Sequence, residues 1–228
     1  TDCDNLEGKV YVKGTFASGG LTNAGAGCEG GASFGGVVGQ VGPMAEDAAC
    51  KVSNCHNHAD MEIYSWMSTG NGSYSFTGGV VGYAKAVLEN CSNNGDMAVE
   101  GKVGGFYAGG VVGSATRGGK SLINNGNLTF KPRRTVEGGG QLNGDIRLGG
   151  VAGDFSTSLT ESTNNSAMTV ISEDVDKKAK QMRVGGVVGR GDGGFSGNVN
   201  NGKVSVNQAS GTTGITLGGV VGWLRGTI

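Results

Sequence analysis

The sequence predicts an all-β fold, a parallel β-solenoid of about six coils, right-handed by the usual handedness of parallel crossovers. Three observations predict it. The pentapeptide Gly-Gly-Val-Val-Gly occurs six times, once with an alanine, an asparagine follows most copies at one fixed distance, and alternating apolar residues follow each asparagine. A short unit of this kind cannot bury its apolar side alone, so its copies are expected to stack on one another.

The pentapeptides mark the repeats, and the interval between successive copies varies from 31 to 43 residues. They lie at 35–39, 78–82, 109–113, 149–153 (with Ala152 for valine), 185–189 and 218–222. Insertions at the corners of a solenoid explain the variable spacing, and the first one predicts a helical turn at 43–49. We interpret residues 1–228 as a single repeat domain with units at approximately 3–39, 55–82, 91–113, 122–153, 162–189 and 198–222.

The asparagines form the second recurring position. One lies 15 residues after the first glycine of the second to fifth pentapeptides, and 22 after that of the first, which carries the insertion. Stacked about 4.8 Å apart, these residues are expected to form a ladder of side-chain amides. A motif present in every coil serves the coil, so we interpret the ladder as structural. Its members are Asn5, Asn57, Asn93, Asn124, Asn164 and Asn200.

The glycines two residues after the ladder predict corners with positive φ, at Gly95, Gly126 and Gly202. Cys3, Cys55 and Cys91 lie two residues before ladder asparagines and so share one column. Buried free thiols are the expected state of this column, although neighbouring coils would also bring the Cα atoms within disulfide range.

Apolar residues alternate with polar ones after each asparagine, which predicts a half-buried strand. A second apolar pair just before most pentapeptides predicts another strand, so we expect two or three strands per coil. A β-propeller is the alternative, because its blades are repeats of similar length with four strands each. The solenoid is favoured because columns of asparagine and cysteine have no evident use around a propeller axis.

Net charge, hydropathy and the absence of known motifs exclude several classes of function. The net charge of −1 predicts no nucleic-acid partner, and no apolar run is long enough for membrane insertion. No phosphate-binding, nucleophile-elbow or zinc-helix motif is present, so no cofactor and no metal are expected. The end coils show no polar cap, which predicts neighbouring domains of a longer chain.

The second repeat resembles a known family. Its pentapeptide, followed by Asn-Cys-Ser-Asn-Asn-Gly-Asp-Met at 90–97, is similar to the GLUG repeat, Gly-Gly-[Leu or Val]-Val-Gly followed by Asn-Cys-x-[Asn or Ala]-x-Gly-x-Val. The resemblance covers nearly the whole chain. It departs at Ala152, at Ser166 and in the missing cysteines of the last three repeats. It implies a bacterial cell-surface or secreted protein, as in adhesins and the non-catalytic parts of immunoglobulin A peptidases, and it transfers no catalytic residue.

The function expected is therefore a non-enzymatic extracellular scaffold, spacer or adhesion module that binds a host or matrix glycan or protein. Tyr64, Trp66 and Tyr74 are the candidate ligand-binding residues, because rings on a flat sheet can stack on sugars or peptides. The alternative is a carbohydrate-active enzyme, a lyase or glycosidase on a β-helix. That reading is the weaker, because the outward acids Glu62 and Glu100 lie in different columns one coil apart.

Overall fold

The computed structural model describes residues 2–17, 31–42, 50–68, 74–102, 105–133, 145–172, 181–208 and 214–228. These residues form 28 strands and no helix, wound as a parallel β-solenoid of six coils, which confirms the predicted fold class. The helical turn predicted at 43–49 and Cys28 lie outside the described residues. None of the described residues forms an apolar helix long enough to cross a bilayer.

Strands at equivalent places in successive coils pair in parallel and build stacked sheets. Sheet A holds the asparagine corner and consists of Cys3–Asn5, Cys55–Asn57, Ser92–Asn93, Ile123–Asn124, Thr163–Asn164 and Val199–Asn200. Sheet B follows with Lys9–Ala17, Asp60–Ser68, Met97–Lys102, Leu128–Arg133, Met168–Ser172 and Val204–Gln208. Sheet C precedes the pentapeptide valines and consists of Gly31–Gly35, Tyr74–Gly78, Gly105–Gly109, Ile146–Gly149, Met182–Gly185 and Ile215–Gly218.

Two further stacks complete each coil. Sheet D begins inside the pentapeptide and consists of Val38–Val41, Val81–Ala84, Val112–Ala115, Ala152–Phe155, Val188–Ser196 and Val221–Thr227. Sheet E consists of Lys51–Ser53, Val87–Glu89, Gly119–Lys120 and Leu159–Thr160, and the end of Val188–Ser196 joins it to sheet D. A full coil thus has up to five short strands, and the expected two or three was wrong. Two-residue strands at corners are too short to show alternation.

The coil encloses two apolar cores. The first lies between sheets B and C and takes the alternating residues that the sequence assigned inward, among them Ile63, Val99, Phe130 and Leu148, all buried. The second lies among sheets D, E and the start of A. It is filled by the pentapeptide valines with Leu88, Phe155 and Leu159. The valines of the repeated motif therefore form a core of their own.

Sheets C and D separate these two cores and pack against each other at a distance that only glycine permits. A Cβ at Gly113, the last pentapeptide residue, would lie 2.5 Å from the backbone nitrogen of Thr77. In four other coils the last pentapeptide glycine is equally close to backbone atoms. These residues are Gly82, Gly153, Gly189 and Gly222. Any side chain there would push the two sheets apart.

The asparagine ladder is continuous through all six coils. Each Nδ2 donates to the Oδ1 of the next asparagine, at 3.0 Å for Asn5–Asn57, 2.8 Å for Asn57–Asn93, 3.0 Å for Asn93–Asn124, 2.9 Å for Asn124–Asn164 and 2.9 Å for Asn164–Asn200. From Asn57 on, the same Nδ2 also donates to the carbonyl two residues later. The four middle side chains are completely buried. The amides therefore satisfy one another inside the corner.

A second, exposed ladder runs beside the first, one residue later. Asn125 Nδ2 donates to Asn94 Oδ1 at 2.7 Å, Asn165 to Asn125 at 2.8 Å and Asn201 to Asn165 at 2.9 Å. His58 occupies the position before Asn94, with its Nδ1 3.4 Å from Asn94 Nδ2. Adjacent asparagines of one repeat thus form amide–amide hydrogen bonds in opposite directions along the stack, one buried and one exposed.

The second glycine of each pentapeptide packs against the buried ladder. A Cβ at Gly110 would lie 2.4 Å from Asn124 Cγ, and one at Gly79 would lie 2.3 Å from Asn93 Cγ. The same contact joins Gly36 to Asn57, Gly150 to Asn164 and Gly186 to Asn200. From this glycine the chain runs through sheets D and E and then reaches the asparagine that the glycine contacts. The contact therefore fixes the number of residues between the pentapeptide and the asparagine.

The corner glycines do not have the positive φ expected at Gly95, Gly126 and Gly202. They are needed for close approach: a Cβ at Gly126 would lie 1.8 Å from the carbonyl oxygen of Gly95. The left-handed residues stand earlier, between sheets E and A. They are Asp2, Asn54, Asn90, Ser121 and Glu161, with φ of 52–56°, and then Gly197. Because most of these positions hold polar residues and not glycine, the glycine pattern of the sequence does not predict the turn.

We expect Gly110→Ala to lower the free energy of unfolding by about 1–3 kcal/mol or more, since the methyl group must displace Asn124 and backbone atoms. The control is Gly219→Ala, because a Cβ at Gly219 has no atom within 4 Å. Urea unfolding followed by circular dichroism measures both. Equal losses in the two variants would contradict the packing role.

Asn124→Ala is expected to lower the free energy of unfolding by about 2–6 kcal/mol, because the buried amides on either side each lose a partner at about 1–3 kcal/mol. Asn125→Ala changes the same residue type one position later on the exposed ladder. There we expect a change within about 0.5 kcal/mol. Thermal and urea unfolding of the two variants test whether the contribution of a ladder hydrogen bond to stability depends on its burial.

Candidate functional site

The outward face of sheet B carries two columns of side chains that the strand register aligns. The first column contains Tyr11, Glu62, Ala98, Thr129, Thr169 and Ser205. The neighbouring column contains Lys13, Tyr64, Glu100 and Lys131, with Ile171 and Asn207 in the last two coils. Both columns follow the alternation that the sequence predicts. The side chains of this face vary from coil to coil.

An aromatic and charged cluster stands on the first two coils of this face. We define the sheet B patch as Lys9, Tyr11, Glu62 and Tyr64. The Tyr11 and Tyr64 ring centroids are 6.1 Å apart, with planes tilted by 60°. Tyr11 is 55% exposed, and Lys9 Nζ lies 5.9 Å from its ring centre. Tyr11 and Tyr64 stand in adjacent columns one coil apart, so the pair depends on sheet register.

Glu62 links the charged and aromatic parts of the patch. Its carboxylate forms an ion pair with Lys9 and accepts a 2.6 Å hydrogen bond from the Tyr64 hydroxyl. The contact with Lys9, followed by that with Tyr64, lowers the pKa of Glu62. The same contact with Glu62 raises the pKa of Tyr64. The patch thus presents a carboxylate, an ammonium group and two rings, and the pKa shifts of Glu62 and Tyr64 favour the charged carboxylate and the neutral hydroxyl.

The other two candidate residues, Trp66 and Tyr74, belong to different sheets. Trp66 lies two residues beyond Tyr64 on the strand Asp60–Ser68, where its backbone pairs with Thr15 and Lys102. Its side chain lies outside the described residues. Tyr74 belongs to sheet C, so it does not extend the row of rings on sheet B.

Tyr74 belongs instead to an aromatic cluster between sheets C and D. Its ring centroid lies 6.0 Å from Phe76 and 5.5 Å from Tyr107, and Phe76 lies 4.9 Å from Tyr83. Burial raises the pKa of Tyr107. Of the residues in this cluster, the sequence had marked only Tyr74 for binding.

We compared the chain with protein-family models, with curated proteins and with solved structures. Nothing matches. The likeness to the GLUG repeat thus rests on the pentapeptides and the asparagine motif, and the functional assignment rests on the site itself.

An ionic network continues the aromatic cluster along the same gap between sheets C and D. Arg147 lies 2.8 Å from Asp154 and 3.1 Å from Asp145, and Arg183 lies 2.7 Å from Asp145. The Arg147 guanidinium also stands 4.3 Å over the Tyr107 ring. Burial raises the pKa of Asp154 against the opposing pull of the arginines, while for Asp145 the bonds from both arginines outweigh burial and lower the pKa.

Sequence reasoning missed this network, although a signal existed. Phe76, Tyr107, Arg147 and Arg183 all lie two residues before a pentapeptide, at a position that must face sheet D. Asp145 lies only two residues before Arg147, but Asp154 comes from sheet D and Arg183 reaches Asp145 from the next coil, so a local pattern of charges shows only one of the three pairs. The network crosses the wall between the two cores, and we interpret it as structural.

The remaining reactive side chains take part in the stacking. Cys3 pairs in register with Cys55, and Cys55 and Cys91 are buried free thiols as expected, whereas Cys3, in the first coil, is exposed. Burial raises the pKa of Cys91, which disfavours its thiolate. His56 Nδ1 lies 2.8 Å from Ser92 Oγ. Within the described part of the chain no three His, Cys, Asp or Glu residues come close enough to hold a metal ion.

Asp154→Asn is expected to destabilise the protein by about 3 kcal/mol, because it removes the buried carboxylate that lies 2.8 Å from Arg147 and 3.7 Å from Arg190. Glu161→Gln is the matched control. Its pair with Lys120 is 3.4 Å long and both side chains are more than half exposed, so we expect a loss below about 1 kcal/mol. Urea unfolding at neutral pH compares them, and a small effect of Asp154→Asn would contradict a structural role for the network.

Proposed function

We propose that this protein is a non-enzymatic repeat scaffold, an adhesion or spacer module that binds a glycan or protein of a host or matrix through the sheet B patch. The observation that carries the proposal is the patch itself. Two tyrosine rings, one of them largely exposed, stand beside a carboxylate and an ammonium group on the outward face of sheet B. Rings that stack on a sugar face, with charged groups that bond its hydroxyls, are the ordinary chemistry of such sites.

The fold suits this role because the patch is preorganised. Tyr11 and Tyr64 lie on paired strands whose inward neighbours, Val12 and Ile63, pack into the first core. The hydrogen bond from Tyr64 to Glu62 further limits the motion of that ring. A ligand would therefore bind to a surface that loses little entropy on binding.

The location that we propose is extracellular or on a bacterial cell surface. It follows from the resemblance to the GLUG repeat. A rod of stacked coils with variable outward columns is also suited to holding a binding surface away from a cell.

The second candidate function is a polysaccharide lyase or glycosidase on the same face. The groups for it would be Glu62 and Glu100, which occupy adjacent columns one coil apart. A general acid needs a raised pKa, whereas the pKa of Glu62 is lowered by Lys9 and Tyr64. This favours a carboxylate that accepts hydrogen bonds over one that delivers a proton.

Binding of the intact chain to a glycan array and to matrix proteins tests the proposal. We expect the double variant Tyr11→Ala and Tyr64→Ala to weaken the strongest signal about tenfold or more, corresponding to about 1.4 kcal/mol of lost ring contact. Thr169→Ala, on the same outward column but away from the patch, should bind like the unchanged chain. A parallel polysaccharide turnover assay distinguishes the second candidate, and turnover lost in Glu62→Gln would overturn the binding proposal.

A further inference from the structure

Ser92 and His56 form a hydrogen-bonded pair on sheet A, at the asparagine corner. His56 Nδ1 lies 2.8 Å from Ser92 Oγ, and both side chains are half-buried. This nitrogen of a neutral imidazole accepts the serine proton when the ring carries its own proton on Nε2. A hydroxyl group within hydrogen-bond reach of a nitrogen base is the arrangement that activates serine as a nucleophile.

Stacking does not require a polar pair at this position. The register aligns one residue of each coil in this column of sheet A, and these residues are Asp4, His56, Ser92, Ile123, Thr163 and Val199. Ile123 and Val199 continue the column without interrupting the sheet. The fold therefore accepts apolar residues here, and the meeting of a serine with a histidine needs another explanation.

An acidic residue stands on the other side of the base. Asp4 is the register partner of His56 in the preceding coil, so its backbone lies one strand spacing, about 4.8 Å, from that of His56. The column thus presents a carboxylate, an imidazole and a hydroxyl group in three successive coils. Base, nucleophile and a third group beside the base are the elements of a nucleophilic site.

The exposed asparagine ladder has its last amide beside this pair. Each of its amides donates toward the preceding coil, from Asn201 to Asn165, from Asn165 to Asn125 and from Asn125 to Asn94. Amides that are hydrogen-bonded in line polarise one another, and their dipoles add. The ladder therefore has its positive end at the Nδ2 group of Asn94.

Asn94 aims this donor at Ser92. Its Oδ1 accepts the hydrogen bond from Asn125, so its Nδ2 faces the other way, 3.4 Å from Ser92 Oγ and 3.4 Å from His58 Nδ1. Both contacts are longer than an ordinary hydrogen bond of about 3.0 Å, so the donor can still bind a closer oxygen. A donor in this place stabilises the negative charge that develops on a carbonyl oxygen when a neighbouring hydroxyl group attacks its carbon.

We propose that Ser92 is a covalent modification site that takes an acyl group from an activated carboxylic ester. Ser92 Oγ forms a bond to the carbonyl carbon while His56 Nδ1 takes the hydroxyl proton, and Asn94 Nδ2 binds the carbonyl oxygen. The bond between the carbonyl carbon and the leaving oxygen then breaks, and the proton passes from His56 to that oxygen. The products are an O-acyl serine and an alcohol.

This reaction modifies the scaffold once and needs no turnover, so it is compatible with a non-enzymatic repeat protein. It uses none of the side chains of the sheet B patch, and its failure would leave the ligand-binding proposal unaffected. It also gives the exposed ladder a role beyond stability, because the direction of the amides decides which group of Asn94 faces the serine.

Acetylation of the intact chain by para-nitrophenyl acetate tests the proposal. Peptide mass spectrometry should find an acetyl group on Ser92, formed about 100-fold faster than in His56→Gln, since a positioned general base contributes about 10²–10⁴-fold. Ser92→Ala should lose the fast phase of nitrophenolate release. Thr163→Ala changes the same column where no histidine is adjacent, so this control should react like the unchanged chain.

The ladder supplies a test that a purely structural role would not pass. Asn125→Ala frees the Asn94 amide to rotate and should slow acetylation of Ser92 about tenfold, because the donor is no longer aimed at the carbonyl oxygen. The unfolding midpoint of this variant should stay nearly unchanged. Asn201→Ala, at the far end of the same ladder, is the matched control and should have a much smaller effect.

Two results would overturn the proposal. One is acetylation confined to lysines and the chain terminus, which react on any protein. The other is acetylation of Ser92 at the same rate in His56→Gln as in the unchanged chain, with both proteins folded by circular dichroism. If His56→Gln does not fold, equal rates in Asn125→Ala and Asn201→Ala would overturn the proposal instead.

Discussion

The contact between the pentapeptide glycine and the buried asparagine is the constraint on which the structure depends. The backbone at Gly79 or Gly110 approaches the amide of the following coil so closely that no side chain fits between them. This approach holds the amides in line, and the line of amides fixes one coil over the next. Because the two parts of the motif touch across coils, neither can change without the other.

That contact explains why rigid and variable segments alternate along the chain. From pentapeptide to asparagine the path runs through sheets D and E around the second core, where an inserted residue would shift the ladder. Between sheets B and C the number of connecting residues varies from coil to coil. The first pentapeptide shows the exception, because its insertion lies at 43–49, between sheets D and E.

Much of the architecture can be predicted from the sequence, because in a repeat protein the spacing of a motif predicts which residues stack on one another. Asn57, Asn93 and Asn124 could be placed in one column from their intervals alone, and Ile63 and Val99 could be placed in a core by alternation. The second core was not expected, because Val111 and Val112 are adjacent and so show no period of two. The turn at Asn54 and Asn90 was missed because no glycine marks it.

The candidate site shows where sequence reasoning stops. Tyr64 was identified from residue type and its expected outward position, but the ring beside it, Tyr11, precedes it by a full coil, and only the register brings the two together. The pairing of Arg147 with Asp154 depends likewise on how closely sheets C and D pack. Such contacts arise between strands that are close in space and far apart in sequence, so composition and motif spacing do not reveal them.

The equivalence of the coils has a consequence for how the gene could change. Removing residues 94–124 would join Asn93 directly to Asn125 and delete one whole repeat of 31 residues, leaving both ladders in line. Recombination between similar repeats makes deletions and duplications of this kind. The number of coils can therefore rise or fall in single steps without any new interface, and the length of the rod is free to evolve separately from the surface it carries.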